Sequence, residues 1–234
     1  PRNPSLPANW MVGYHSDRLN LRFRLALTAF KHVGLFPEQA ANWEFIAAQC
    51  RLVRSPQVLN LFAYTGGASL AAAQAGAQVV HLDAVRQVVG WAKANAELNN
   101  LDQLRWLVED ALKFVRRETR RNRHYTGILL DPPAYGHGPG GERWVLEEHL
   151  PELVGLLGPL LDPAGHFVVL NSYSLGYSPV ILAGLLAGIC PPGGHVSCGE
   201  LLLPETSGGR HLPAGVFARL VARPHMEPSA GPTE

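Results

Sequence analysis

The sequence has few charged residues, few cysteines and no long apolar run. Only 17% of its 234 residues are charged and 47% are hydrophobic, which excludes a disordered, highly charged protein. No apolar run approaches the ~20 residues that cross a bilayer. Cys50, Cys190 and Cys198 are scattered and fit a reducing cytosol better than a disulfide framework. We see no charged-then-apolar leader and therefore expect a cytoplasmic protein. The histidines have no metal-ligand spacing, so no metal is expected.

Lysine is also scarce. The chain has 17 arginines but only Lys31, Lys93 and Lys113, and its net charge is +1. This near-neutral balance excludes a protein that holds nucleic acid by bulk charge alone. A mechanism that needs a catalytic lysine has few candidates.

Short apolar runs alternate with longer amphipathic stretches from residue 57 onward. Five strand–helix alternations predict an α/β fold, in which a mostly parallel sheet carries helices on both faces. The last two strands have no helix between them, so they must form a terminal antiparallel hairpin and bring the sheet to seven strands. The predicted strands are 58–62, 79–82, 104–108, 127–130, 166–170, 196–203 and 215–222, and the predicted helices are 68–75, 85–98, 111–121, 142–161 and 178–189.

The chain divides into three regions. Residues 1–50 are interpreted as an N-terminal lead-in or the remnant of an accessory region, extended over 1–20 and helical over most of 21–50. Residues 51–223 form the α/β domain. The polar tail, 224–234, is expected to be disordered.

Glycines or acids follow each of the first three strands, at the carboxyl ends where open α/β sheets bind ligands. Gly66 and Gly67 let the chain turn sharply into a helix N-terminus. Asp83 is placed to accept hydrogen bonds from a ribose diol, and Asp110 of Glu109-Asp110-Ala111 to face an adenine amino group. Each acid could instead, or in addition, serve as a helix N-cap, but the glycine turn beside them favours the cofactor role. The glycine spacing matches neither the dinucleotide fingerprint nor a P-loop.

The fourth strand ends in Asp131-Pro132-Pro133-Ala134-Tyr135. The two prolines stiffen this turn and remove two backbone donors. The Asp131 carboxylate and the Pro132 carbonyl are then free to accept from a planar amine and to take up its positive charge during methyl transfer. Tyr135 is placed to stack on a base. The candidate catalytic residues are therefore Asp131, Pro132, Pro133 and Tyr135, although a merely rigid turn would use the same residues.

The glycine turn, the two acids and D-P-P, in this order, resemble a class I S-adenosylmethionine-dependent methyltransferase over roughly residues 57–222. Three segments resemble more closely the bacterial 23S ribosomal RNA methyltransferase-like group: L-N-L-F-A-Y-T-G-G, Trp91-Ala92-Lys93 with Asn95, and D-P-P-A-Y. The resemblance implies a Rossmann-like methyltransferase fold, S-adenosylmethionine as cofactor and RNA, ribosomal RNA first, as methyl acceptor. It also implies that the loop 34–39 packs over the cofactor. The candidate cofactor-binding residues are Phe36, Gln39, Asn60, Phe62, Tyr64, Thr65, Gly66, Gly67, Asp83, Ala84, Glu109, Asp110 and Ala111.

The sequence departs from that group in ways that bear on the acceptor. Members that make 5-methylcytosine carry a cysteine nucleophile after the fifth strand, where this chain has Asn171-Ser172-Tyr173-Ser174. Its three lysines do not supply the Lys-Asp-Lys-Glu arrangement of ribose methyltransferases. Ala134 stands where amino-methylating members have an aromatic residue. The usual accessory RNA-binding domain is missing or reduced to residues 1–50. A nitrogen acceptor is favoured, with the target atom open.

Two surface features bear on the acceptor as well. Lys113, Arg116, Arg117, Arg120 and Arg121 share one helical face, which is either a phosphate-contacting strip or an ordinary solvated face. The glycine-rich segment 136–142 is interpreted as a flexible candidate lid, and its His137 as a candidate to bind substrate or to act as a base.

Three other functions would each explain part of this set of glycines, acids and the D-P-P turn at the strand ends. A methyltransferase for a small molecule or a protein would use the same cofactor residues. A nicotinamide-dependent dehydrogenase would explain the glycines and Asp83 but neither D-P-P nor the terminal hairpin. A non-catalytic module with the same fold, which binds the cofactor or a partner, would have no need of D-P-P.

Overall fold

A computed structural model describes residue 7 and residues 9–28, 32–174 and 176–223. Two short 3-10 turns lie at Pro37–Gln39 and Gly158–Leu160. The strands are β1 Asn9–His15, β2 Asn20–Ala26, β3 Gln57–Leu61, β4 Gln78–Asp83, β5 Leu104–Val108, β6 Gly127–Leu130, β7 Tyr135–His137, β8 Arg143–Val145, β9 His166–Ser172, β10 His195–Pro204 and β11 His211–Ala222. The helices are α1 Ala40–Arg51, α2 Gly67–Gln74, α3 Arg86–Leu98, α4 Ala111–Arg120, α5 Leu146–Gly155 and α6 Pro179–Ala187.

Seven strands form the central sheet, in the order β10-β11-β9-β6-β3-β4-β5. The pairs β3–β4, β3–β6, β4–β5 and β6–β9 are parallel. β11 is antiparallel to both β9 and β10. The predicted α/β fold, with a mostly parallel seven-stranded sheet and a terminal antiparallel hairpin, is confirmed. The parallel strands therefore bring their carboxyl ends to one edge.

The sheet is buried on both faces because successive side chains of a strand point to opposite sides. In β6, Ile128 and Leu130 join the core that α4, α5 and α6 cover, whereas Leu129 joins the core under α1 and α2. Phe167 and Val168 divide in the same way on β9. Such strands read as continuous apolar runs, which is why the sequence located them well.

The N-terminal region is a β-hairpin. Residues 9–15 are extended, as expected, but the helix expected from residue 21 is wrong over residues 21–26, which belong to β2. β1 and β2 pair antiparallel from Asn9↔Ala26 to His15↔Asn20. Exposed and buried residues alternate along β2, and Leu21, Phe23 and Leu25 are buried. This period of two is a strand pattern. The helix expected further on is present as α1.

The hairpin and α1 share one apolar core with the sheet. Phe23 and Trp43 lie in the same cluster as Val58 and Leu70. The predicted boundary between the N-terminal region, residues 1–50, and the α/β domain, residues 51–223, stays a prediction. The tail 224–234, like Phe30 and Lys31, lies outside the described residues.

One face of α3 holds the free edge of β2. Trp91, Asn95 and Asn99 are spaced four residues apart and so lie on one helical face. The Trp91 indole donates to the Arg24 backbone carbonyl at 2.7 Å, and the side-chain oxygen Oδ1 of Asn95 accepts from the Arg24 backbone amide at 2.9 Å. Asn99 exchanges hydrogen bonds of 2.8 and 2.7 Å with the backbone of Arg22. These side chains satisfy backbone groups that an edge strand would leave unpaired.

The segment after D-P-P is more ordered than the sequence suggested. β7 and β8 pair antiparallel as a short ribbon, so the interpretation of residues 142–145 as helical is wrong. The reason is Trp144, which is only 4% exposed and anchors β8 in the core. The role of residues 136–142 as a flexible lid stays a prediction. The helix that follows β8, α5, ends at Gly155 and not at residue 161 as predicted. No helix in the described part of the chain is long and apolar enough to cross a membrane.

Candidate active site

A small cleft of about 50 Å³ opens at the carboxyl ends of the parallel strands. It lies between the 3-10 turn before α1 and the ends of β3, β6 and β9. Eight of the predicted site residues line it: Phe36, Gln39, Asn60, Phe62, Tyr64, Thr65, Gly67 and Asp131. Gly66, Asp83, Ala84, Glu109, Asp110, Ala111, Pro132, Pro133 and Tyr135 do not line this cleft.

The backbone between β3 and α2 is held in an unusual conformation. Phe62 and Tyr64 have positive φ angles of 55° and 50°, and Gly66 has φ 96°. Positive φ in large side chains is uncommon and needs support from the surroundings. The Thr65 hydroxyl donates to the Gly34 carbonyl at 2.7 Å, and Asn95 donates to the Thr65 carbonyl at 3.0 Å. Segments on both sides of the turn therefore fix its shape.

Gly67, at the start of α2, is required by a close approach. A Cβ at this position would lie 2.8 Å from the Trp43 ring of α1. The first turn of α2 therefore packs directly against the Trp43 ring, with its first backbone amides beside the cleft. Such a helix N-terminus favours a negatively charged group.

A buried polar chain runs beneath the turn. Asn60 donates to the Ser69 hydroxyl at 2.9 Å, and that hydroxyl is 2.9 Å from His81 Nδ1. Burial lowers the pKa of His81 to about 3, so the ring is neutral at physiological pH. The chain links β3, α2 and β4 just under the cleft.

Asp83, the last residue of β4, ties that strand to the turn. Its Oδ2 accepts from the Tyr64 amide and its Oδ1 from the Val85 amide, each at 2.9 Å. Burial raises the pKa of this carboxyl above its usual value, although the backbone donors oppose the shift. Ala84 lies between Asp83 and the start of α3.

Glu109 and Asp110 follow β5, beside Asp83. The Glu109 amide donates to the Asp83 carbonyl at 3.2 Å. Asp110 Oδ1 accepts from the Lys113 amide at 2.9 Å, so this acid does cap α4. The Glu109 carboxylate pairs with Arg117. Ala111 is buried as the first residue of α4.

The D-P-P turn holds a carboxyl group that has one buried oxygen free to accept a hydrogen bond. Asp131 Oδ1 is buried and has no hydrogen-bond partner within the described ranges. Burial, and secondarily the charge of Glu38, raises the pKa of Asp131 to about 7. Unpartnered buried acceptors are rare and call for an explanation. A ligand donor in the cleft supplies one.

The ribbon after the turn keeps D-P-P in place. The Trp144 indole donates to the Pro133 carbonyl at 2.8 Å, and the Leu146 amide donates to the Ala134 carbonyl at 3.0 Å. The Trp144 and Phe62 rings are 4.8 Å apart. Residues 135–145 thus brace the turn from the side away from the sheet ladder.

Tyr135 stands apart from the cleft. Its side chain is 55% exposed, and its hydroxyl is 3.0 Å from His137 Nε2. The two rings meet edge to face at 5.0 Å. A role in base stacking, predicted from the sequence, therefore requires an acceptor that reaches the outer surface of the ribbon.

Three residues of the site were missed by sequence analysis: Asn42, Asn171 and Tyr173. Asn42 donates to Gln39 at 2.9 Å and to Asn171 at 2.8 Å. Gln39 donates to the Tyr173 hydroxyl at 2.8 Å. The signal that was available is a set of polar residues inside apolar segments, such as Asn171 in the buried strand β9.

The basic face of α4 is largely neutralised. Lys113 pairs with Glu142, Arg116 with Glu152, Arg117 with Glu109 and Arg121 with Glu118. A phosphate-contacting strip would have to break these pairs. In the part of the chain that the structure describes, no group of three or more His, Cys, Asp or Glu side chains is arranged to hold a metal ion.

Comparison with known proteins adds three findings. The profile of the S-adenosylmethionine-dependent methyltransferase family matches residues 8–183. A crystal structure described as the SAM-dependent methyltransferase from Agrobacterium tumefaciens is similar over 93% of this chain and 71% of its own, with a TM-score of 0.84 and 39% identity.

Curated relatives are similar over part of their length. The ribosomal RNA large subunit methyltransferases K/L of Shewanella frigidimarina and Shewanella oneidensis are 30% and 34% identical to this chain. The matches cover 67% and 64% of this chain. The chain spans only 22% and 21% of the length of these two relatives.

Proposed function

The chain belongs to the family of S-adenosylmethionine-dependent methyltransferases, and on this premise we propose that it transfers methyl to a nitrogen atom of a nucleobase in RNA. Methyl transfer from S-adenosylmethionine is the reaction of the family. The observation that carries the choice of acceptor is the buried, unpartnered Asp131 Oδ1 at the end of β6. It is an acceptor for which an N–H group in the cleft is the natural partner.

The cofactor is proposed to lie across the ends of β3, β4 and β5. Asp83 accepts from the ribose hydroxyls and Asp110 lies near the adenine, with Ala84, Glu109 and Ala111 beside them. The positive-φ turn supports this placement because it turns backbone amides toward the cleft at the start of α2. Phe36, Gln39, Asn60, Phe62, Tyr64, Thr65, Gly66 and Gly67 surround the methionine end.

The donor supplies a methyl group that its sulfonium charge has already activated, so positioning does most of the work. Asp131 accepts one hydrogen bond from the acceptor nitrogen, and the Pro132 carbonyl accepts another. Phe36 and Phe62 exclude water from the reacting atoms. Asp131 also stabilises the positive charge that develops on the nitrogen.

RNA is the proposed acceptor class because the curated relatives are named for ribosomal RNA. Asn171-Ser172-Tyr173-Ser174 after β9 contains no thiol for addition to a pyrimidine ring. Only three lysines are present in the whole chain, which disfavours ribose methylation of the Lys-Asp-Lys-Glu type. We also propose that the protein acts in the cytoplasm, where ribosomal RNA is made in bacteria.

A small molecule or a protein side chain is the second candidate acceptor. The observation in its favour is the ion pairing along α4, which leaves less free positive charge for a polyanion than the sequence suggested. The nicotinamide-dependent and non-catalytic alternatives have no comparable support.

Radiolabelled methyl transfer separates these candidates. The 234-residue chain is incubated with labelled S-adenosylmethionine and, in parallel, with ribosomal RNA, tRNA, a protein extract and a small-molecule fraction. We expect label in RNA only. Label confined to protein or small molecules would refute the RNA proposal. Calorimetric titration with S-adenosylmethionine and with NAD provides the control, and heat with NAD alone would overturn the choice of cofactor.

A further inference from the structure

A half-buried arginine on the last strand packs against α1. Arg219 belongs to β11 and pairs in register with Val169 of β9, which lines the cleft. Its guanidinium lies over the rings of Phe45 and Phe217, at 4.4 and 4.3 Å from their centres. In the part of the chain that the structure describes, no carboxylate forms an ion pair with it.

The charge of Arg219 is not needed for packing. Burial lowers the pKa of Arg219 to about 10, which leaves the guanidinium charged at neutral pH. An apolar side chain of similar volume would fill the same space without the cost of removing a charge from water. The hydrogen bonds of the guanidinium therefore call for an explanation of their own.

These hydrogen bonds set the orientation of Asn42. A guanidinium can only donate. That of Arg219 donates to Asn42 Oδ1 from Nε at 2.9 Å and from Nη2 at 2.6 Å, and to the Ala41 carbonyl at 3.0 Å. The oxygen of the Asn42 amide must therefore face Arg219, and its nitrogen must donate on the opposite side.

Asn42 in turn sets the orientation of Gln39. The Asn42 nitrogen donates to Gln39 Oε1 at 2.9 Å and to Asn171 Oδ1 at 2.8 Å. The Asn171 nitrogen donates to the same Gln39 oxygen at 3.3 Å. Because two donors hold that oxygen, the Gln39 nitrogen points away from them and donates to the Tyr173 hydroxyl at 2.8 Å. The direction of the whole chain starts from the cation of Arg219.

The chain ends at the second N–H of Gln39. Gln39 lines the cleft and is only 8% exposed. Within the described ranges, Tyr173 alone accepts from its nitrogen, and the buried Asp131 Oδ1 accepts from nothing. One buried N–H of Gln39 is thus left for a ligand in the cleft. The start of α2 at Gly67 lines the same cleft, where backbone amides favour an anion.

We propose that Arg219 is a positioning residue for the cofactor, because through Asn42 it holds Gln39 with an N–H free to bind the carboxylate of S-adenosylmethionine. The inference rests on the placement of the methionine end given under the proposed function, and deepens it by naming the residues that select this carboxylate. Without Arg219 the amides of Asn42 and Gln39 are free to rotate as a set. The Gln39 oxygen would then face the cleft and repel the carboxylate.

The test compares the binding of two cofactors in the absence of any methyl acceptor. Arg219→Met keeps an unbranched side chain between the two rings and removes every donor. The control is Arg54→Met, the same change at an exposed position after α1. Calorimetry measures the affinity for S-adenosylmethionine and for its decarboxylated analogue, which keeps the sulfonium and the amino group. Arg219→Met should bind S-adenosylmethionine about tenfold more weakly and the analogue within about twofold of the wild type.

A double-mutant cycle separates positioning from a general structural role. In a chain that already carries Gln39→Met, the further change Arg219→Met should weaken S-adenosylmethionine binding by less than about twofold, since its effect passes through Gln39. A structural role would give the same loss in both backgrounds. Arg219→Lys should bind S-adenosylmethionine more tightly than Arg219→Met, because its ammonium still donates to Asn42.

A second variant covers the case in which Arg219→Met does not fold. Gln39→Glu keeps the shape of the side chain and replaces the donor by a carboxylate. It should weaken S-adenosylmethionine binding about tenfold or more and leave the decarboxylated analogue bound at least as tightly as in the wild type. Equal losses for both cofactors in Gln39→Glu would overturn the contact with the carboxylate.

The other outcomes are equally decisive. A loss in Arg219→Met that is the same for both cofactors, or absent for both, overturns the inference. So does a wild-type chain that binds S-adenosylmethionine and the decarboxylated analogue with equal affinity. A wild-type chain that labels no RNA refutes the proposed function, while calorimetry still decides the role of Arg219 because no acceptor takes part in it.

Discussion

Asp131→Asn should make the protein more stable and less active. The substitution keeps the shape of the side chain and removes a buried charge whose Oδ1 has no hydrogen-bond partner among the described residues. The pKa of Asp131 is about 7 in the folded chain, against an ordinary value of 3.8. Ionising this group therefore costs the folded chain about 4 kcal/mol by linkage, and about 2 kcal/mol if water in the cleft screens half of the effect.

The sign of the pH dependence follows from the raised pKa. The folded chain binds the Asp131 proton more tightly than the unfolded chain does, so ionisation destabilises the fold as pH rises from about 4 to 7. At pH 8 we expect Asp131→Asn to raise the free energy of unfolding by about 2 kcal/mol. At pH 4 the carboxyl is protonated in the folded chain and about two-fifths protonated in the unfolded chain, so most of the gain should disappear.

Urea denaturation at pH 8 and pH 4 measures this effect, and Asp102→Asn, an exposed change before β5, is the control. Transfer by Asp131→Asn should fall at least about 100-fold, with S-adenosylmethionine affinity within about threefold of wild type. Equal stability of Asp131→Asn and wild type at pH 8, or a gain that persists at pH 4, would refute the argument. Equal loss of transfer and of cofactor affinity would refute the acceptor role.

Three other substitutions test separate parts of the site. Asn95→Ala removes the bonds to the Arg24 amide and the Thr65 carbonyl and should lower the free energy of unfolding in urea by about 2–4 kcal/mol; a loss below about 1 kcal/mol would show that water replaces them. Trp144→Phe keeps a ring in the core but loses the hydrogen bond to D-P-P, so kcat should fall about tenfold with unchanged cofactor affinity. Asp83→Asn should weaken S-adenosylmethionine binding about tenfold by calorimetry, and unchanged affinity would remove Asp83 from the ribose.

The sheet was predictable because its strands carry continuous apolar runs that end in polar residues. Val58 to Leu61 and Gly127 to Leu130 are buried on both faces, and Asp83 and Asp131 mark the ends of β4 and β6. In a parallel sheet such ends fall on one edge, so sequence order alone placed the candidate residues near one another.

The N-terminal hairpin was missed for a physical reason. The alternation of β2 has only three buried members, Leu21, Phe23 and Leu25, and the next apolar residues, Leu27 and Phe30, extend the pattern with a helical spacing. β2 pairs with β1 along one edge, and its other edge is held by the polar face of α3, about 70 residues away. Such a long-range contact leaves no local signature.

The hydrogen-bond network around Asn42 was missed in the same way. Asn42 and Asn171 lie 129 residues apart in sequence but hydrogen-bond in the core, and Asn42 is oriented by Arg219 from β11. Each looks like an isolated polar residue in an apolar segment. Only the fold, which brings the 3-10 turn to the ends of β6 and β9, turns them into one network.

Nucleoside analysis of the reaction product tests the central claim most directly. Large-subunit ribosomal RNA transcribed in vitro is incubated with the 234-residue chain and labelled S-adenosylmethionine, digested to nucleosides and examined by mass spectrometry. The account predicts that the label resides on a base nitrogen. Label on a ribose hydroxyl or on a base carbon, or RNA that carries none, would contradict it.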